Sequence, residues 1–212
     1  RFSVYLDGVS ALLREIHVQH GQLPVILLGH SMGGLIAASF LLQEQDAFQA
    51  CVLSGPAFRT DEEPPPIVMG IVRLLASVMP PVPLLALDPA AVSRDPEVVR
   101  AYVADPLVHH GKLTARLIAE MSKAMKHALA RAPQVRLPIL ILHGEDDVLT
   151  SPVGSAASTG RSPARVANPS RMPAVPVRNM ITAFLPSLAM APRSMLRVRK
   201  TRQVGSRKRD AT

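Results

Sequence analysis

Gly29-His30-Ser31-Met32-Gly33 stands between an apolar run, Pro24-Val-Ile-Leu-Leu-Gly29, and a small apolar stretch from Leu35 to Leu42. A Gly-x-Ser-x-Gly at a strand-to-helix junction requires a sharp turn on a strained backbone, and only small neighbours fit around it. The run before it is short, continuous and apolar, as a parallel strand covered on both faces would be. Ala50-Cys-Val-Leu-Ser54, ended by Gly55-Pro56, repeats that character. Strand, helix and strand in this order make a βαβ unit, so the fold class is α/β with a parallel sheet core. Ser31 is the candidate nucleophile, and the backbone N–H of Met32, at a helix N-terminus, points to where an oxyanion would form.

The same reading extends in both directions. Upstream, Val9, Leu12, Leu13 and Ile16 have the i, i+3, i+4, i+7 spacing of a helix face packed on a core, and Gly21 is a natural stop. Downstream, about residues 57–136 change to proline-punctuated helices, which suggests a helical cap inserted above the sheet. Asp95-Pro96-Glu97 offers an N-cap, a first-turn proline and a first-turn acid, and Ala104-Asp105-Pro106 closes that helix. Leu113, Leu117, Met121 and Leu129 mark one face of a longer helix. Pro138-Ile-Leu-Ile-Leu-His143 is a third buried strand, leading into the acidic turn Gly144-Glu145-Asp146-Asp147. Beyond about Gly154 serine, alanine, proline and arginine dominate. This places an incomplete domain at 1–155 and a largely disordered basic tail at 156–212, with weak helix only around Met180 to Met190.

Charge separates these parts. The net +8 divides into 12 Lys/Arg against 15 Asp/Glu up to Gly160, and 12 against 1 from Arg161 onward. An acidic domain with a basic tail is not a basic protein, and without interleaved aromatics no specific nucleic-acid binding is expected. The single cysteine, Cys51, excludes an intrachain disulfide, and its apolar neighbours favour a core thiol. Pro66 to Ala91 is greasy but carries Arg73 and is broken by Pro80, Pro81 and Pro83, too interrupted for a spanning helix. The expected location is cytoplasmic or peripheral to a membrane. A chain opening on Arg1 reads as a piece of a longer protein.

Four stretches carry a resemblance: Leu23-Pro-Val-Ile-Leu-Leu-Gly-His-Ser-Met-Gly-Gly34, Ser93-Arg-Asp-Pro-Glu-Val-Val, Asp105-Pro-Leu-Val-His109 and Leu137-Pro-Ile-Leu-Ile-Leu-His-Gly-Glu-Asp-Asp147. Across roughly Phe2 to Ser155 the chain resembles the monoacylglycerol lipase and lysophospholipase branch of the α/β-hydrolases. The resemblance implies a partial α/β-hydrolase fold and hydrolysis of a lipid carboxylic ester through an acyl-serine intermediate. It makes Asp147, four residues after His143, the acid, and it places Gly29, His30 and Gly33 in the turn around Ser31. Such an acid accepts the N–H of a catalytic histidine and fixes its tautomer. No cofactor is implied. No metal site is expected of Glu145, Asp146 and Asp147, since neither His-Glu-x-x-His nor a cysteine pair accompanies them.

Two parts of that machinery are absent from the sequence. The family's histidine follows the acid, yet no histidine follows His143. No catalytic histidine is therefore identified, although His109 or His110 of the insertion could swing in. Nothing before Pro24 matches the family's early oxyanion loop. The change of composition near Gly154 is what a shifted reading frame in a GC-rich gene would produce, and a genuine extension is the alternative. Ile67, Val68, Ile71, Leu74, Leu75, Val78, Leu84 and Leu85 would form an apolar lid that receives an acyl chain or touches a membrane. A peptidase or thioesterase on the same fold, or a non-catalytic truncated pseudo-enzyme, are the competing readings.

Overall fold

The structure is a computed structural model that describes residues 1–21, 23–159 and 164–167. Four parallel strands run in the order β1 (Ile26–His30), β2 (Ala50–Ser54), β5 (Ile139–Leu142) and β6 (Ala164–Ala167). The three apolar runs of the sequence are thus neighbours in one sheet, as expected. Ile26 lies opposite Ala50 and Cys51 opposite Ile139, a register that lines up the carboxyl ends of all three strands.

Alternation along those strands selects the core face. Cys51, Leu53, Ile139 and Ile141 point to one side and pack against α2 (Met32–Glu44) and α5 (Ala115–Arg131). α2 contributes Leu35, Phe40 and Leu41, and the ring of Phe40 meets that of Phe48 edge-on at 5.9 Å. α5 contributes Ala124 and Ala128, whose small size lets the helix approach closely. The sequence reading placed this helix inside the cap insertion, but its inner face belongs to the main core. α1 (Ser3–His20) lies outside α2, with Leu6, Val9 and Leu13 against the core and Leu12 left in solvent.

Cover on the opposite face fades toward β1. Leu28, Val52 and Leu140 share a register row; Leu140 is buried and Leu28 is 67% exposed. The expectation that β1 is covered on both faces therefore fails, because no described element lies over Leu28 or pairs beyond β1.

The cap is built around α3 (Pro66–Val78) and α4 (Pro96–Ala104). Asp95 caps α4 by accepting from the Glu97 amide at 2.9 Å, and Pro96 fills the first turn, where a missing N–H costs nothing. Thr114 caps α5 through the Leu117 amide, so Leu113 sits outside that helix, in a two-residue strand β4 (Leu113–Thr114) paired antiparallel with β3 (Pro83–Leu85). The short α6 (Pro152–Ser158) and then β6 carry the sheet past residue 155, where the sequence reading ended the domain. Arg165 and the neighbouring prolines hid that strand, whose backbone pairing with β5 needs no apolar pattern to form. The remaining tail, including the helix expected around Met180 to Met190, lies outside the described residues. Among the described residues no helix is long and apolar enough to cross a membrane.

Cys51 is fully buried, and burial pushes its thiol up to about 12. A thiol-specific disulfide reagent is expected to leave the folded chain untouched at neutral pH and to label Cys51 stoichiometrically only after denaturation. Exposed strand edges and apolar sheet faces recruit other chains. Self-association through β1 is therefore expected, and Leu28→Lys should raise the monomer fraction in light scattering; a monodisperse parent monomer would contradict this.

Candidate active site

Ser31 is the only non-glycine among the described residues with a positive φ, at φ 51 and ψ −120. A side chain in this region costs on the order of 1–3 kcal/mol and persists only where the surroundings over-determine it. The cause is visible in its hydrogen bonds. The Ser31 amide donates to the Ser54 carbonyl at 2.9 Å, continuing the ladder between β1 and β2 by one residue. One residue later the chain is already helical, and the Ser31 carbonyl accepts from the amides of Gly34, Leu35 and Ala57 at 2.9, 3.3 and 3.0 Å. A residue fixed to the sheet at its N–H and to the helix and the β2 loop at its C=O has no freedom to relax. Its side chain is held at the carboxyl edge of the sheet, and the hydroxyl has no hydrogen-bond partner among the described residues. Met32 carries the first amide of α2, ahead of the helix's own hydrogen-bond ladder.

The glycines around Ser31 are not equivalent. A Cβ on Gly29 would stand 2.4 Å from the Gly33 carbonyl oxygen and 2.9 Å from the Gly34 Cα. A Cβ on Gly34 would stand 2.8 Å from that of Pro56, the residue that turns the chain away after β2. Gly33 meets nothing within 4 Å. The crowded pair is therefore Gly29 and Gly34, and the sequence pattern singled out Gly33 in place of Gly34. His30 points away from the helix, its Nδ1 donating to the Ser54 carbonyl at 3.0 Å.

Asp147 comes to the same edge of the sheet. Gly55, with φ +47, turns the chain just past β2, and a Cβ there would lie 3.3 Å from Asp147 Oδ2 and 3.9 Å from His30 Cε1. The carboxylate is fixed by its own loop. Oδ1 accepts from the amides of Leu149 and Thr150 at 2.9 Å each, and Oδ2 accepts from the Thr150 hydroxyl at 3.0 Å. Beneath it lies His143, buried, with Nε2 3.5 Å from Asp147 Oδ2 and 3.0 Å from the Thr150 carbonyl. A carbonyl only accepts, so Nε2 is the donor, and in the neutral ring Nδ1 takes the Ser155 hydroxyl at 2.7 Å. His143, Thr150 and Ser155 thus form a buried polar support under Asp147 that sequence reasoning missed; the His143 to Ser155 spacing crosses from strand to helix and has no linear signature.

Other acids and histidines go elsewhere. Asp146 is paired with Arg94 of the cap segment. The ring of His110 meets that of Tyr102 edge-on at 5.7 Å, and His109 folds over Gly111. Neither histidine is hydrogen-bonded to Ser31. Under the cap, an apolar slot of about 220 Å³ opens from Phe58, the neighbour of Ala57, and is walled by Met69, Leu85, Ile118, Met121 and Met125. Of the eight lid residues expected from the sequence only Leu85 lines it, because α3 turns Met69, Val72 and Ala76 inward and sends Ile67, Ile71, Leu74 and Val78 outward.

Gly29→Ala is expected to destabilise the fold by about 2–3 kcal/mol, since backbone atoms cannot yield to the new methyl. Gly33→Ala should be neutral or stabilising by up to about 1 kcal/mol, as alanine for glycine in an open helical position. Urea melts of the two variants distinguish these outcomes, and equal losses would show that the spacing rather than the packing matters.

Comparison with known proteins agrees with this geometry. The family described as serine aminopeptidase, S33, matches residues 1–173. The chain is 41% identical over 153 residues to the monoacylglycerol lipase of Mycolicibacterium smegmatis, covering 72% of this chain and 55% of that protein. It is 28% identical over 155 residues to the monoglyceride lipase of Homo sapiens, covering 73% and 51%. It therefore spans about half the length of these relatives. Among solved structures it is similar to the monoacylglycerol lipase of Paleococcus ferrophilus, with TM-score 0.68 and 25% identity over 79% of this chain and 65% of that one. A soluble variant of monoglyceride lipase from Saccharomyces cerevisiae shares the fold, with TM-score 0.62, 20% identity and 88% and 66% coverage. The turn at Ser31, the parallel sheet beneath it and the match over residues 1–173 make one conclusion: the chain belongs to the serine aminopeptidase S33 family of α/β-hydrolases.

Proposed function

We propose that this chain belongs to a carboxylic ester hydrolase that acts on a monoacylglycerol or lysophospholipid through an acyl-Ser31 intermediate. The observation that carries the reading is the strained backbone of Ser31 at the carboxyl edge of the sheet, with Asp147 fixed at the same edge. In this scheme the Ser31 hydroxyl loses its proton to a base and its oxygen adds to the ester carbonyl. The Met32 amide stabilises the oxyanion, the glycerol of a monoacylglycerol or the glycerophosphodiester of a lysophospholipid leaves with the proton, and water then releases the fatty acid. The acyl chain would occupy the apolar slot between α3 and α5. That slot, and the relatives described as monoacylglycerol lipases, favour a lipid ester over the aminoacyl substrates that the family's description suggests.

Asp147 would orient an imidazole between itself and Ser31; the one described imidazole beside it, His143, is buried and hydrogen-bonded to the Thr150 carbonyl and Ser155 instead. The chain as written is therefore expected to turn over monoacylglycerol at close to the uncatalysed rate. In a related triad, loss of the histidine alone costs about 10⁶ in turnover, and loss of one oxyanion donor about 10²–10³. An extended protein that supplies a histidine beyond Asp147 and a loop before β1 should hydrolyse monoacylglycerol in preference to aminoacyl or thioester substrates. Ser31→Ala should abolish that activity, and Asp147→Asn should lower it by about 10⁴. Robust Ser31-dependent turnover by the present 212 residues would overturn the missing-base reading and make His109 or His110 the base.

A further inference from the structure

Arg73, Arg116, Lys123 and Lys126 converge on one groove. On α5, Arg116, Glu120, Lys123 and Lys126 recur at spacings of three and four and so share one side of the helix. On α3, Arg73 and Ser77 form a narrow polar stripe that lines the other wall. The groove between them has a volume of about 370 Å³, and Ala76 and Ala119 lie among the charged side chains that line it. Its walls are held together by backbone. The Ala115 and Arg116 amides donate to the carbonyls of Val82 and Pro80 at 2.8 and 3.3 Å, which ties the start of α5 to the segment that leaves α3.

The charges in this groove do not cancel. Glu120 is the one acid among its lining residues, and both its oxygens are engaged: Oε2 accepts the Phe2 amide at 3.1 Å, and Oε1 lies 3.7 Å from Arg116. Arg73, Lys123 and Lys126 form no ion pair among the described residues. Like charges one turn apart on a helix repel. A cleft lined by one sign of charge concentrates counter-ions of the other.

The arrangement selects among counter-ions. Lys123 and Lys126 are separated by about 4.5 Å along the axis of α5, and Arg73 comes from the facing helix, so an anion charged at several points satisfies all three where a lone carboxylate does not. Arginine matches phosphate with a planar fork and lysine with a point charge. No aromatic side chain lines the groove, so a nucleobase has nothing to stack on.

We propose that the groove between α3 and α5 binds a short inorganic polyphosphate, with Arg73, Lys123 and Lys126 each on a phosphoryl group. None of the lining residues belongs to the turn at Ser31 or to the loop of Asp147, so this site stands apart from the ester-hydrolase reading and does not rest on it.

Titration of the full chain, with isotope-labelled alanine methyl groups, by sodium tripolyphosphate in physiological salt tests it. Alanine methyls report where the anion sits, and position matters because 12 Lys/Arg fall after Gly160. The methyl signals of Ala76 and Ala119 are expected to shift and saturate, and orthophosphate is expected to bind more weakly. An exposed ion pair contributes up to about fivefold, so Arg73→Gln with Lys123→Gln should weaken tripolyphosphate binding roughly tenfold to twentyfold. Arg73→Lys with Lys123→Arg keeps both charges and should bind as the parent does. Removing two mutually repelling cations should leave the thermal melt without ligand unchanged or raised, which separates lost binding from lost folding. If the Ala76 and Ala119 signals stay fixed while alanines beyond Gly160 respond, the basic segment is the binder and the proposal fails. It fails equally if the glutamine double variant binds as the parent does, or if orthophosphate binds as tightly as tripolyphosphate.

Discussion

The carbonyl of Ser31 accepts three amides, and most of the site depends on that convergence. Gly34 and Leu35 tie it to the first turn of α2, and Ala57 ties it to the loop that leaves β2. The same residue's N–H continues the β1–β2 ladder. Strain of this kind is stable only if the elements on either side are rigid, and here both are anchored in the core. Leu35 and Leu41 bury α2 on Cys51 and Leu53 of the very strand whose end receives the Ser31 amide. Core packing thus fixes the relative position of strand and helix, and the serine accommodates what remains. Gly29 and Gly34 are the steric condition for this, since a methyl at either position would separate strand from helix or helix from Pro56.

The acidic side is built on a different principle. Asp147 is fixed by hydrogen bonds within its own loop and by a hydroxyl three residues on, not by the sheet. His143 and Ser155 secure that loop from below, joining the end of β5 to α6. One side of the site is therefore pre-formed by packing strain and the other by local polar satisfaction. Neither depends on the other, so Ser31 and Asp147 are each held at the carboxyl edge of the sheet by their own surroundings.

How much of this was legible in the sequence follows from the range of the interactions involved. β2 and the N-cap of α4 are local: a continuous apolar run ended by Gly-Pro, and Asp-Pro-Glu before a helix, each determine their own conformation. The turn at Ser31 was legible because its glycines and flanking patterns are contiguous. What escaped depends on partners distant in the chain. Gly34 rather than Gly33 is crowded because Pro56 arrives from β2; α5 belongs to the core because Ala124 and Ala128 join the cluster formed by α2 and the strands; β6 joins the sheet by parallel backbone pairing with β5. The inward and outward faces of α3 were illegible for a related reason. Arg73 and Ser77 mark a narrow polar stripe, but the apolar residues around it reach both the inward and the outward side, so the pattern does not say which apolar side meets the protein.

That last ambiguity is physically instructive. For most helices amphipathicity is the record of a single interface, and a polar face marks water. In α3 the inward residues are small or flexible, Met69, Val72 and Ala76, suited to a slot between helices, whereas the outward residues are bulky aliphatics with no described neighbour. Burying each such side chain is worth roughly 1.5–3 kcal/mol, so four in one row represent a driving force large enough to determine what the cap contacts. α3 therefore packs toward α5 with one side and presents aliphatic side chains to solvent with the other. Arg73 lies on the flank between them, where its stem covers apolar surface while its charge stays solvated.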